Sequence, residues 1–149
     1  MGCVWMAYLD TLQKMMDGEV PPPPISQFLG LNLVEAGEGL VIFEMEATDE
    51  MDNPMGTLHG GILCDLSDAA MGCAFATTLP DNVSYTTVEL KLNFLKPAWN
   101  SKLRAVGRVI KTGNTTGLVE CQVFDSKDSL VAHATSTCMI LTGENRIER

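Results

Sequence analysis

Asp68 stands nine residues after His59, among the apolar or small residues Leu66, Ala69, Ala70, Met71 and Cys73. A carboxylate in such company is expensive unless it is paired or put to use. Asp65, three residues earlier, is a second acid in the same stretch, about 60° away around a helix of roughly 3.6 residues per turn. His59-Gly60-Gly61 opens the stretch. Two glycines at a helix start let a ligand come close to the backbone, and the first-turn amides have no partner within the helix. With the positive end of the helix dipole behind them, such amides suit an oxyanion or a polarised carbonyl. A carboxylate brought to the same carbon would act as nucleophile or general base. The same residues also fit a tight loop-to-helix junction, a hydrogen-bonded structural His59 and an exposed acid.

Other chemistries are missing from the sequence. The five cysteines (Cys3, Cys64, Cys73, Cys121, Cys138) form no CxxC pair, and small buried hydrophobes are the expected role. The only histidines, His59 and His133, lie far apart, and no HExxH spacing appears, so no metal and no cofactor are expected. Walker, GxGxxG and GxSxG motifs are absent. The 149 residues, 46% of them hydrophobic, suit one domain with a real core. A net charge of −9 disfavours nucleic acid and anionic lipid as partners. No apolar run is long enough to span a membrane and no secretory signal is evident, so a cytoplasmic protein is expected. Yet six of the ten basic residues (Lys91, Lys96, Lys102, Arg104, Arg108, Lys111) fall in a window without a single acid. That island could be a solvated strand face, or it could meet a multiply phosphorylated small molecule.

These residues need elements to position them. Trp5, Leu9, Leu12 and Met16 repeat at helical spacing, predicting an amphipathic N-terminal helix over 1–20. Pro21–Pro24 form a stiff spacer, a single domain is expected over 25–143, and 144–149 form a tail. Val41, Phe43 and Met45 alternate with Glu44 and Glu46, predicting a half-exposed strand over 40–47. Residues 61 to about 77, without proline and nearly apolar all round, predict a helix buried on most sides. Val88, Leu90, Leu92 and Phe94 then alternate against Glu89, Lys91 and Asn93. Segments near 102–112, 117–125 and 129–141 follow with short links, predicting an antiparallel meander. The expected class is α+β.

Asn53-Pro54-Met55-Gly56-Thr57-Leu58-His59-Gly60-Gly61, followed by Asp68, resembles the hotdog-fold acyl-CoA thioesterases of the phenylacetate-pathway (PaaI-like) type. Phe28-Leu29-Gly30, Phe94-Leu95-Lys96-Pro97-Ala98 and Gly107–Gly113 add to the likeness, which spans roughly Phe28 to Leu141. The resemblance implies a long central helix wrapped by a curved antiparallel sheet, and hydrolysis of an acyl-CoA, aryl or medium-chain, to free acid and CoA. On these positions it implies Asp68 as nucleophile or base and Gly60 as the amide that polarises the carbonyl. Asn53 would help hold water or the thioester, His59 would support the loop, and Thr87 would place a hydroxyl near the acid. Gly61, Arg108 and Lys111 are expected to bind substrate, the two cations near the CoA phosphates. A non-catalytic acyl-CoA-binding protein, or a dehydratase that relies on a catalytic His59, are the alternatives. Along one helix, Gly60 and Asp68 lie roughly 12 Å apart, too far to meet one thioester carbon. Active sites shared within a dimer, or a dimer of dimers, are therefore expected.

Overall fold

The computed structural model describes residues 7–143. Trp5 and Cys3 lie outside them, as does the predicted tail from 144 on. Helix α1 (Ala7–Met16) buries Leu12 and half-buries Leu9 and Met16, following the predicted stripe, and packs beside the first strand. The proline spacer is one residue shorter than expected. Pro24 opens a second helix, α2 (Pro24–Leu29), in the first turn where a missing N–H costs nothing. Gly30, at φ 67°, ends it and bonds back to the Gln27 and Ser26 carbonyls. Neither α2 nor the strand that follows, β1 (Asn32–Gly37), was predicted. One helix is too short for a period, and the other element is an edge strand broken by a register shift between Leu33 and Glu35.

Strand β2 (Leu40–Glu46) buries Val41, Phe43 and Met45, as its alternation required. After a 3₁₀ turn at Asp49–Met51 comes α3 (Gly60–Ala76), then β3 (Ser84–Phe94), β4 (Lys102–Thr112), β5 (Thr116–Phe124) and β6 (Leu130–Leu141). All six strands form one antiparallel sheet in the order β1-β2-β4-β5-β6-β3. This departs from a simple meander: β4, β5 and β6 run consecutively, but β3 crosses to the far side of β6 and becomes an edge. α3 lies across the sheet with Leu66, Ala70, Met71, Ala74 and Phe75 fully buried. Glycine permits this close approach. A Cβ at Gly107 of β4 would strike the Ala70 carbonyl group, and one at Gly117 of β5 would strike the Phe75 ring.

α3 is buried on most sides, as its composition required, but one flank is open. Asp65 and Asp68 are exposed, with Ile62, Cys64, Ala69 and Cys73 half-buried along the same open flank. The expectation that Asp68 sits in an apolar environment fails for a geometric reason. Leu66 and Ala70 point to other faces of the helix, whereas its face-mates lie three or four residues away: Cys64 and Asp65 on one side, Met71 and Gly72 on the other. No helix among the described residues is long and apolar enough to cross a membrane.

Candidate active site

The segment before α3 is organised by Asn53. Its side-chain carbonyl accepts the N–H of Met55 at 2.9 Å and of Thr57 at 3.3 Å, and its amide donates to Thr57 Oγ1 at 2.9 Å. The Asn53 backbone N–H reaches the Thr57 carbonyl at 2.8 Å. Gly56, at φ 73°, supplies the left-handed residue that the turn requires. The loop is thus tied by one side chain to itself and delivers His59 to the helix start.

His59 is the N-cap of α3, and its Nδ1 accepts the Gly61 N–H at 2.9 Å. Ile62 N–H is taken by the His59 carbonyl at 3.0 Å. Of the first three amides of the helix, two are therefore occupied. Among the described residues, the Gly60 N–H has no hydrogen-bond partner. It points from the positive end of the helix dipole, and Gly60 lines a cleft of about 420 Å³ together with Asn53, Met55, Leu63, Phe94 and Lys96. Most of the cleft wall is apolar, and its one cation, Lys96, reaches Asp125 Oδ2 at 2.6 Å. That ammonium, followed by the Ser129 N–H, holds the Asp125 carboxyl down at about 2.

The acid lies elsewhere on the helix. Thr87 Oγ1 donates to Asp68 Oδ1 at 3.0 Å, and Asp68 does not line the cleft. The contact depends on a β-bulge. The register shift between Thr87 and Glu89 sets Thr87 opposite Cys138, on the face where Leu90, Leu92 and Phe94 stand opposite Ser136, Ala134 and Ala132. Without the extra residue Thr87 would point away from α3. Val88, expected on the inner face, is the bulged residue and is 58% exposed.

The cysteines near the acid are not poised nucleophiles. Burial pushes the Cys138 thiol up, and so does the Asp68 carboxylate. Burial, then Asp65 and Asp68, raise that of Cys64, and burial lifts Cys121 to about 12. Thiolate attack is disfavoured at neutral pH. Among the described residues, no three His, Cys, Asp or Glu side chains are grouped to hold a metal ion.

The structure therefore brings Asn53, His59, Gly60 and Gly61 together at one end of α3, and Asp68 with Thr87 at its middle. It does not bring the two groups together within one chain. The Gly61 amide is spent on His59, and a Cβ at Gly61 would sit 2.9 Å from that ring nitrogen, so this glycine makes the cap possible. Arg108 and Lys111 do not line the cleft. They lie on β4 beside the C-terminal half of α3, where Gly107 abuts Ala70 and Thr112 Oγ1 is 3.0 Å from Thr78 Oγ1. The basic island is also partly neutralised: Lys96, Lys102 and Arg104 pair with Asp125, Glu44 and Asp128. Met55, Leu63 and Phe94 were not assigned to the site from sequence, and Lys96 was offered only as one of six cations of the basic island. Phe94, an apolar residue at a strand end running into Leu95-Lys96-Pro97, is the one that left a signal.

The comparisons with known proteins agree on the fold. The family model described as the thioesterase superfamily matches residues 55–132. A protein of Saccharolobus solfataricus that bears an esterase name is 32% identical over 117 residues, 78% of this chain and 83% of that one. A crystal structure of a phenylacetic acid degradation-related protein from Ralstonia eutropha is 32% identical, covers 86% of this chain and 98% of its own, and superposes with a TM-score of 0.78. The acyl-coenzyme A thioesterase PaaI of Escherichia coli is 26% identical over 105 residues, 70% of this chain and 73% of that one.

Proposed function

This chain belongs to the thioesterase superfamily and is a thioester hydrolase, and from that premise we propose that it hydrolyses an acyl-CoA, aryl or medium-chain, to the free acid and CoA. The observation that carries the reading is the Gly60 N–H, without a partner among the described residues, at the rim of an apolar cleft and ahead of two amides already occupied. A thioester carbonyl oxygen seated there gains charge as the carbon is attacked, and the amide and helix dipole stabilise that charge. Asp68 either takes a proton from the water that attacks the carbon, or attacks the carbon itself and is then freed when water hydrolyses the mixed anhydride; in both cases collapse of the tetrahedral centre expels the CoA thiolate, which takes up a proton. Thr87 orients the carboxylate. The similarity to a protein named as an acyl-coenzyme A thioesterase supports the substrate class. His59 Nδ1 is committed to the Gly61 N–H, which weighs against the dehydratase alternative.

The acid comes from a second copy. β3 runs antiparallel to α3, with Thr87 beside Asp68 and Phe94 beside Gly60, and among the described residues its outer edge carries no strand. Antiparallel pairing of β3 with the same strand of another copy, centred on Lys91 with the bulged Val88 left unpaired, would set Thr87 of the partner subunit opposite Phe94. Asp68 of the partner subunit would then face Gly60, and the two-fold symmetry would make a second site. In this reading Arg108 and Lys111 meet CoA phosphates from outside the cleft of their own chain.

The test is kcat/KM over a panel of aryl- and medium-chain acyl-CoAs, with Asp68→Asn and His59→Ala beside the wild type. Hydrolysis that Asp68→Asn abolishes is expected. Activity that survives in Asp68→Asn and disappears in His59→Ala overturns the mechanism, and no turnover of any acyl-CoA overturns the substrate class.

A further inference from the structure

Gly60 has an ordinary helical backbone, so its φ does not require glycine. What requires it is Phe94. A Cβ built on Gly60 would lie 2.7 Å from both Cε1 and Cζ of the Phe94 ring, closer than a real Cβ contact allows. The ring therefore rests directly on the Cα of the residue whose N–H is the unpartnered donor. Phe94 is nevertheless 61% exposed, and it lines the cleft with Met55 and Leu63. Its place is fixed from behind: Phe94 pairs with Ala132 across β6, and the next residue, Leu95, donates its N–H to the Val131 carbonyl at 2.9 Å.

Given the thioesterase reading above, we propose that Phe94 is a positioning and specificity-determining residue. It fixes the Gly60 peptide by contact and walls the acyl end of the cleft. A ring packed on one side of the amide leaves the other side as the approach for a carbonyl oxygen, and it keeps water from that flank. The same ring, with Met55 and Leu63, bounds the apolar volume into which the acyl group extends. Its size then sets which acyl groups fit over the donor.

Two measurements test this. Phe94→Ala should raise kcat/KM for bulky relative to short acyl-CoAs by roughly tenfold or more, since pocket volume near the reacting carbon discriminates at that scale. Gly60→Ala keeps the N–H but meets the ring, so it should be poorly active, and Gly60→Ala/Phe94→Ala should regain activity. Phe94→Leu, with melting temperatures for every variant, covers the case in which Phe94→Ala does not fold. An unchanged bulky-to-short ratio in the folded Phe94 variants, or a double variant no better than Gly60→Ala, overturns the inference. Wild-type turnover of the acyl-CoA panel decides the underlying reading separately. A wild type that hydrolyses only other thioesters fails that reading, and the selectivity ratio is then taken on those thioesters.

Discussion

The two halves of the proposed chemistry on α3 are built in opposite ways. At its N-terminus, Asn53, His59 and the two glycines form a closed hydrogen-bonded unit, all within nine residues of sequence, walled by Phe94 and finished within one chain. Two turns on, Asp68 is exposed and has one hydrogen bond, from a threonine on an edge strand. A donor made of backbone is assembled by local sequence. A carboxylate held by one hydroxyl at an open edge is finished only by whatever covers that edge. The first half should respond to mutation through geometry, and the second through chemistry and association.

The largest effect is expected at the open half. Asp68→Asn should lower kcat by about 10² or more with little change in melting temperature, whereas Asp65→Asn, on the same flank but without the Thr87 contact, should be mild. Wild-type rates in both variants would remove the acid from the mechanism. Next is the division between chains. Asp68→Asn and Gly60→Pro homodimers should each be nearly inactive, and co-refolded hybrids should recover activity, because one of the two sites in a hybrid carries neither defect. Proline is tolerated in the first turn and removes the N–H, but its ring carbons meet Phe94, so Gly60→Ala is the steric control. No recovery, with hybrids verified by native mass spectrometry, would put the site in one chain.

Smaller effects sharpen the contrast. Thr87→Val should lower kcat about tenfold by releasing the carboxylate, and Thr87→Ser should restore most of it. At the closed half, His59→Ala removes the cap and should cost about 0.5–2 kcal/mol of stability in denaturant unfolding, with His59→Asn recovering much of it. If His59→Ala instead leaves stability intact and abolishes turnover, the residue is chemical and the contrast collapses. The smallest effect is expected at Arg108 and Lys111. Neutralising them should raise KM for acyl-CoA, leave a truncated thioester unchanged, and reduce the salt dependence of binding.

Much of this was legible in the sequence, and what was not has physical reasons. The strands over 102–112 and 40–46 were readable because one face of each is buried, and burial writes a period of two. The place of β3 in the sheet was not readable, because strand order depends on a crossover that leaves no local mark. The loop-to-helix unit was legible because it is contiguous. The exposure of Asp68, one of two readings left open by the sequence, was not decided there because most of its chain neighbours are not its neighbours in space. The pairing of Lys96, Lys102 and Arg104 with distant acids was hidden for the same reason, and so was the ring beneath Gly60, 34 residues further along the chain.

The bulge at Val88 has a last consequence, for the quality of a preparation. It fixes which side of β3 Thr87 faces, but nothing in a hydrogen-bonded edge compels two copies to align at one offset. A slip of two residues along the paired strands keeps every side chain on its proper face and moves amide and acid about 7 Å relative to each other. Such a species would fold, associate and melt as the correct one does, and would be silent. Under the proposed pairing, activity per mole of dimer would gauge how faithfully the strands have aligned, and folding probes alone would overstate the amount of working enzyme.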